Sequence, residues 1–436
     1  MERVKISQLK GKIGKKVLLK GWAHEIRDQS KIKFILLRDN SGIIQLVITP
    51  NKKDIFDKIT QITRESVLSV VGLVKTEKQA PGGIEVSLES HTILSGADRN
   101  LPIPVNEKGD EEAALPKRLD WRWLDLRKPK NLLIFKIWTC MEEAMREFWS
   151  KNSFIQIYTP KFMGAPSESG AELFTVDYFG KKVYLAQSPQ FYKQMAMASG
   201  FERIFEIAPV FRANPSHTTR HDTEFTMIDM EVSFINSHED LLKLEEEWLA
   251  FLLKRVKERF GNEIKDVFGV EVNIPKIPFP RLTMKEVSKL LKEKHGYESE
   301  GDLDAEGEKL ISEIINQKFR HEFIFITEYP IEVRPFYHMR KEEVRTLTKS
   351  FDLLWRGLEI TTGAQREHRL EILKQQATEK KLNLKQLEDY FNFFRYGCPP
   401  HGGFALSPTR MLMILLNLKN VREATFLPRD TERIRP

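Results

Sequence analysis

The hydrophobic pattern changes period about a quarter of the way along this chain, and few features restrict its fold more. Up to residue 100 the apolar residues come in strand-length runs at 17–22, 34–38, 43–47, 66–71 and 84–88. Asp39-Asn40-Ser41-Gly42 and Pro81-Gly82-Gly83 separate runs as turns. A helix-compatible stretch at 52–63 lies between the third and fourth runs. Five short strands with a helix in that place predict a small barrel of the OB type, though a jelly-roll fragment or an SH3-like barrel also fits the pattern. Residues 97–130 read as a connector, with Pro102, Pro104, Pro116 and Pro129 and a charged stretch at 107–112. The period then becomes helical, at Ile134, Ile137, Met141, Met145 and Phe148. A strand at 154–158 stops at Pro160, and strands and helices alternate thereafter. A long amphipathic helix is expected at 237–260. An insertion is expected at about 266–349, where Leu290 and Leu291 read as packing positions.

These boundaries divide the chain into a barrel (1–100), a connector (101–130) and a larger domain (131–436), which suits its 436 residues. A 41% hydrophobic and 30% charged composition fits a globular protein with a substantial core. The net charge of +7 is compatible with a polyanionic partner but does not demand one. The two cysteines, Cys140 and Cys398, have no metal-ligand spacing and point to a reducing compartment. Glu2, Arg3 and Lys5 follow Met1 without an apolar run, and no apolar segment reaches about 18 residues. A cytoplasmic protein without a membrane span is therefore expected.

Three stretches carry chemistry. Phe211-Arg212 leads through a polar loop containing Arg220 and His221 to Glu224-Phe225-Thr226-Met227-Ile228-Asp229-Met230-Glu231. Two arginines thus flank a turn between strand-like runs, and a guanidinium is a rigid donor fork for phosphate or carboxylate. Taken alone, such a hairpin is more often a solvated surface turn. Asp352 and Glu359 stand seven apart; across a strand–turn–strand they could face one site and hold Mg²⁺ with phosphate oxygens, or be unrelated surface acids. His401-Gly402-Gly403-Phe404-Ala405-Leu406-Ser407-Pro408-Thr409-Arg410 precedes an apolar helix, and its small residues let backbone approach a ligand closely.

Read together with the helix, strand and Pro160, these stretches resemble, in order, the three motifs of class II aminoacyl-tRNA synthetases. The connector string Arg118-Leu119-Asp120 to Asp125-Leu126-Arg127 and the ending Pro428-Arg429-Asp430 resemble the aspartyl/asparaginyl/lysyl subgroup. The resemblance spans essentially the whole chain. It implies an α+β fold: an N-terminal OB-fold that binds the anticodon, and a catalytic domain built on an antiparallel sheet flanked by helices. It also implies ATP and Mg²⁺ as co-reactants, and a homodimer joined around Pro160.

Gln187-Ser188-Pro189-Gln190-Phe191-Tyr192-Lys193 resembles the segment of the aspartyl branch, whereas asparaginyl relatives carry glycine in place of Pro189 and lack the lysine. A β-carboxylate needs cationic partners and a carboxamide does not. The resemblance assigns aspartate binding to Glu168, Gln190, Lys193, Asp229 and Arg366. It gives ATP to Arg212, Arg220, His221, Glu359 and Arg410, and the metal to Asp352, Glu359 and Thr362. Arg212 and Arg410 are the expected catalytic pair. Asn214 stands where the motif has glutamate, and Ala405, Ser407 and Thr409 also depart from it. An inactive RNA-binding relative would share those departures but need not keep Arg212, Arg410, Asp352 and Glu359.

In the barrel, Phe34 and Gln45 match residues that stack on and hydrogen-bond to the middle anticodon base, with Arg27 and Glu85 as neighbours. Stacking on splayed bases is how such folds commonly read single strands. His24 and Pro81 resemble the pair found in non-discriminating relatives of the archaeal type. Such non-discriminating relatives load aspartate onto both tRNA-Asp and tRNA-Asn; the compact length agrees with the archaeal or eukaryotic type, since the bacterial type carries a large extra insertion domain.

Overall fold

The computed structural model describes residues 1–106, 112–167, 172–215 and 218–436. They form two compact units, 1–133 and 134–436.

In the first unit, β1 (Lys16–Asp28), β2 (Lys33–Asp39) and β3 (Gly42–Ile48) are followed by α1 (Lys53–Lys58), β4 (Val67–Thr76) and β5 (Ile84–Ser95). The strands close into a barrel in the order β1-β2-β3-β5-β4, parallel only between β3 and β5. The period-2 pattern dictates the two faces. Leu19, Ile35, Leu37, Leu46, Leu68, Val70, Val86 and Leu88 fill the interior, each worth roughly 1.5–3 kcal/mol on burial. Phe34 and Gln45 fall on the outer face, only partly buried. The barrel is tight at Gly72, where a Cβ would lie 2.5 Å from the Val86 side chain and 2.6 Å from the Ser87 carbonyl oxygen.

The connector is structured where it is described. Helices α2 (Leu115–Asp120) and α3 (Arg122–Asp125) converge on buried Asp125. That carboxylate accepts from Arg118 Nε at 3.0 Å and Arg122 Nη1 at 2.7 Å, and Lys128 Nζ lies 3.1 Å away. Burial pushes the Asp125 carboxyl up, but Arg118 and Lys128 outweigh it and hold it below its ordinary range. Within that string Arg118 and Asp125, joined by Arg122 and Lys128, form a buried ion cluster.

The second unit is built around one sheet. Helix α4 (Pro129–Lys151) leads to β6 (Ile155–Gln156), shorter than the strand expected at 154–158. A small sheet follows: β7 (Phe162–Met163), β8 (Thr175–Tyr178) and β9 (Lys181–Leu185). Then come α5 (Gln190–Ala198), β10 (Arg203–Phe211), β11 (Glu224–Ser233) and α6 (Glu239–Phe268). Helix α6 runs past the expected end at 260 and stops at Gly269, whose φ of +67° is the left-handed terminator. The chain continues through β12 (Arg281–Thr283), α7 (Met284–His295), α8 (Ala305–Phe319) and β13 (Phe323–Thr327). It ends with β14 (Ser350–Trp355), β15 (Leu358–Gln365), α9 (Leu370–Glu379), α10 (Glu388–Arg395), β16 (His401–Leu406) and α11 (Pro408–Leu415).

The main sheet has the order β12-β13-β14-β15-β16-β11-β10-β6. Its six central strands are antiparallel, as expected, but both edges are parallel pairs, β12 with β13 and β6 with β10, so the sheet is mixed. The segment expected as an insertion is woven into this sheet: β12 and β13 form one edge. Helices α7 and α8 pack there through Val287, Leu291, Ile311 and Ile315 against Ile324 and Ile326. Phe323-Ile324-Phe325-Ile326 is buried on both faces, so it carries no alternation to betray a strand. On the α4 and α6 side, Trp149 stacks on Trp248 at 5.1 Å, and Trp248 meets Phe404 of β16 at 6.1 Å. The opposite face is left for chemistry.

Candidate active site

A cavity of about 380 Å³ opens on that second face. Alternation along β11 delivers Phe225, Met227 and Asp229 to it, with Glu231 next in the same series. Beside them, α5 presents Gln190 and Lys193, one helical turn apart. Lys193 is 1% exposed, and its Nζ lies 2.9 Å from Asp229 Oδ1 and 3.3 Å from Glu231 Oε2. Arg366, just past β15, donates from Nε to Glu231 Oε1 at 2.9 Å and from Nη2 to the Gly403 carbonyl at 3.0 Å. Burial pushes the Glu231 carboxyl up, but Arg366 and Lys193 outweigh it and hold it below its ordinary range. This end of the cavity therefore holds two cations against two carboxylates. Gly403 makes the arrangement possible, since a Cβ there would lie 2.1 Å from the Met230 carbonyl oxygen and 2.3 Å from Glu231 Oε2. The close approach that the glycine pair signalled is to β11, not directly to a ligand.

The other end is rich in arginine. Arg212, Arg220 and Arg410 all line the cavity. Among the described residues Arg212 has no carboxylate partner: it lies over the Phe225 ring at 5.5 Å and reaches Met227 Sδ at 3.9 Å. Arg220 pairs with Glu308 of α8 at 2.8 Å. Arg410 donates to the Glu359 carbonyl at 3.0 Å and to His221 Nε2 at 3.1 Å. Burial and the neighbouring arginines drive His221 down to about 4, so its imidazole is neutral, with Nδ1 2.6 Å from the Thr218 hydroxyl. Ser407, a departure from the motif, caps α11: its hydroxyl accepts from the Arg410 N–H at 3.3 Å, fixing the helix start that carries Arg410. Asn214, Ala405 and Thr409 also line the cavity.

The acids expected to hold a metal are brought together, but not equivalently. Asp352 and Thr362 are direct partners across β14 and β15, and the Thr362 hydroxyl donates to Glu359 Oε1 at 3.1 Å. Glu359 and Thr362 line the cavity, whereas Asp352 lies behind it, paired with buried Arg334. Asp352 Oδ1 is buried and has no hydrogen-bond partner among the described residues. An orphaned carboxylate oxygen beside Glu359 and a hydroxyl is an all-oxygen donor set that fits a hard divalent cation. Burial pushes the Asp352 carboxyl up, opposed by Arg334.

Glu168 lies outside the described residues. Three residues that shape the site escaped the sequence reading: Glu231, Arg334 and His338. Glu231 was signalled by its two-residue offset from Asp229 on one strand face. Arg334 and His338 lie within the stretch whose sequence predicts an insertion, and only the pairing of that segment with the sheet brings them to the cavity wall.

On the barrel, Arg27 faces Phe34 across β1 and β2, and Gln45 faces Glu85 across β3 and β5, with Gln45 Nε2 donating to Glu85 at 3.2 Å. Arg27, Phe34, Gln45 and Glu85, four of the six residues expected at the anticodon, thus share the outer surface. His24 is placed differently. It is 7% exposed at a bulge in β1, with Nδ1 2.7 Å from Arg38 Nη1 and 3.6 Å from Glu65. Pro81 is exposed in the turn between β4 and β5.

Comparison with known proteins shows the family. Residues 115–431 match the model of class II tRNA synthetases (D, K and N), and 17–94 match the OB-fold nucleic acid binding domain. The chain belongs to that class of synthetases. It is 43% identical over 433 residues to an aspartate–tRNA(Asp/Asn) ligase of Aeropyrum pernix, covering 97% of this chain and 96% of the relative. It is 42% identical to an aspartate–tRNA(Asp) ligase of Pyrococcus abyssi, covering 97% of each. An asparaginyl-tRNA synthetase structure from Pyrococcus horikoshii superposes with a TM-score of 0.93 at 31% identity over 100% of both chains. Within the class, the chain is a member of the aspartate–tRNA ligase family.

Proposed function

We propose that the chain activates aspartate with ATP and transfers it to the 3′ end of both tRNA-Asp and tRNA-Asn. The observation that carries the activation step is the juxtaposition in one cavity of a charge-balanced end and an arginine-rich end. The first suits a zwitterionic amino acid bearing a further carboxylate. Lys193 and Arg366 take its side-chain carboxylate, while Asp229, Gln190 and Glu168 hold its ammonium group. The second suits a triphosphate, with Arg212 on the α-phosphate and Arg410, Arg220 and His221 on the outer phosphates. The aspartate α-carboxylate attacks the α-phosphorus in line. A carboxylate–phosphorus bond forms, the bond to the bridging oxygen breaks and pyrophosphate leaves. The terminal tRNA hydroxyl then displaces AMP from the aspartyl-adenylate. No side chain acts as a nucleophile; positioning and charge neutralisation supply the rate. Asp352, Glu359 and Thr362 would hold Mg²⁺, which when bound adds charge neutralisation on phosphate oxygens.

The outer face bearing Arg27, Phe34, Gln45 and Glu85 is the proposed anticodon surface. His24 is buried and Pro81 opens a short turn completed by two glycines, so neither puts a bulky or cationic side chain on the surface. Nothing at those two positions would reject a third anticodon base, which supports the relaxed specificity. Around β6 and the small sheet, Tyr158, Phe162 and Phe179 are 77%, 52% and 90% exposed. Such a patch supports a homodimer interface, which sedimentation would detect. No helix among the described residues is long and apolar enough to cross a membrane, and a cytoplasmic setting is proposed. Side-by-side aspartylation of tRNA-Asp and tRNA-Asn transcripts tests the specificity: comparable charging is expected. Charging of tRNA-Asp alone would refute the relaxed reading while keeping the enzyme.

A further inference from the structure

His338 is fully part of the cavity wall at the balanced end, yet it belongs to none of the motifs. It is 3% exposed, lies opposite Arg366 in an isolated antiparallel bridge, and stands one residue from Tyr337, which also lines the cavity. Its Nε2 lies 3.0 Å from Arg366 Nη1. A guanidinium has no acceptor, so Arg366 donates and Nε2 must be unprotonated. The neutral ring therefore carries its proton on Nδ1. Burial and the nearby Arg366, Arg334 and Lys193 charges hold His338 well below its ordinary range, which agrees with a neutral ring. Nδ1 is buried and has no hydrogen-bond partner among the described residues. A buried donor without an acceptor is costly, and the cavity it lines is where an acceptor can arrive. Gln190 Nε2, on the same cavity, is likewise buried without a partner.

We propose that His338 is a specificity-determining residue whose Nδ1–H donates to the side-chain carboxylate of the bound amino acid, in a tautomer set by Arg366. The inference rests on the reading of the Lys193–Arg366 end as the side-chain subsite. Its logic follows from the charge balance there. Arg366 already donates from Nε, Nη1 and Nη2 to protein groups, and Lys193 is shared between Asp229 and Glu231. A neutral donor adds a contact to a carboxylate without adding uncompensated charge. It also completes a set of donors only. A carboxylate accepts from all of them, whereas a carboxamide must turn its own N–H groups toward at least one. His338 thereby widens the preference for aspartate over asparagine.

Two substitutions separate the ring nitrogens. His338→Gln keeps an acceptor for Arg366 near the Nε2 position and removes the Nδ1 donor. His338→Asn keeps a donor near the Nδ1 position and removes the acceptor. In amino-acid-dependent ATP–pyrophosphate exchange, His338→Gln is expected to raise KM for aspartate about ten- to hundred-fold, the value of a hydrogen bond to a charged group. KM for ATP and Tm should be unchanged, and the aspartate-over-asparagine ratio should narrow. His338→Asn should recover most of the lost affinity. An aspartate KM for His338→Gln within twofold of wild type, or equal impairment of both variants, would overturn the proposal. Lys193→Gln serves as the reference. If it raises aspartate KM while His338→Gln does not, only the His338 inference fails; if neither does, the subsite reading fails. Should His338→Gln not fold, ¹⁵N-histidine labelling of the unsubstituted protein gives an independent readout. The proton is expected on Nδ1, and its resonance should shift when aspartate is added. An unprotonated Nδ1, or one indifferent to aspartate, would overturn the inference equally.

Discussion

The two ends of the cavity solve opposite problems with the same residue types. At the amino-acid end every cation is matched inside the protein: Lys193 by Asp229 and Glu231, and Arg366 by Glu231. At the triphosphate end, among the described residues, Arg220 pairs with Glu308 and Arg410 with Glu359 while Arg212 has no carboxylate partner, and the imidazole among them is neutral. The first arrangement stays stable without its ligand and selects by geometry. The second is short of negative charge until a polyanion arrives. Removing one charge should therefore unfold the first end and merely silence the second.

The largest effect should come from Arg366→Leu. It leaves Glu231 buried with fewer cations, and breaking a buried pair on one side costs about 3–5 kcal/mol. Urea unfolding should show that loss, with aspartate activation abolished. A variant as stable as wild type would break the comparison at its root. The mirror experiment is Arg212→Ala. Among the described residues it has no carboxylate to strand, so stability should hold within about 0.5 kcal/mol. The exchange kcat/KM should nevertheless fall about 10²–10³-fold, as when a donor to developing charge is removed.

That contrast also marks how far the residues could be read before the fold was known. Arg212, Arg220 and Arg410 stand at local signals, a turn and a helix start, but alone those signals fit a solvated turn equally well, and the resemblance singled the arginines out; the structure brings all three to the cavity. The barrel was legible because alternation and turn residues are short-range, and Phe34 and Gln45 came out on its outer face. At the balanced end Lys193, Asp229 and Arg366 were named only through the family resemblance, and the Glu231 that joins them was missed, because that logic is long-range. Glu231 meets Arg366 from 135 residues away. His338 and Arg334 reach the cavity only because the sheet draws in a segment whose sequence predicts an insertion. The doubly buried β13 gave no alternation, and the parallel edge pairs depend on neighbours that no local pattern announces. His24 shows the converse: a histidine in a β1 string could not be told from a surface residue until Arg38 and Glu65 closed over it.

A smaller effect sharpens the triphosphate end. Glu308 is the acid that α8 lends to Arg220, and burial pushes its carboxyl up to about 7. Above pH 7 it is ionised and competes with the triphosphate for Arg220; below, it is protonated and does not. ATP affinity should therefore fall as pH rises through 7. Glu308→Gln should tighten ATP binding at pH 8 by about two- to fivefold, the scale of a partly solvated ion pair, and change it little at pH 6. Calorimetric titrations at the two pH values would decide. Equal effects at both would mean that Glu308 acts through packing rather than charge.

The smallest effect belongs to His221, the histidine that a sequence reader would first suspect of making ATP binding pH-sensitive. Burial comes first, and Arg410, Arg220 and Arg212 add to it, leaving the folded value at about 4 against an ordinary 6.5. The sign matters. A base whose folded value is lowered takes up its proton later than the unfolded chain does. Its shift therefore weakens the fold as pH falls from about 6.5 toward 4 and does nothing above that window. Between pH 6.5 and 8.5 the ring stays neutral, accepting from Arg410 at Nε2 and turning Nδ1–H to Thr218. His221→Asn should thus leave the shape of the ATP-affinity profile over that range unchanged within about twofold, while Glu308→Gln flattens it. If His221→Asn flattened the profile instead, the imidazole would be charged among three arginines. The triphosphate end would then hold still more unmatched charge than the geometry assigns to it.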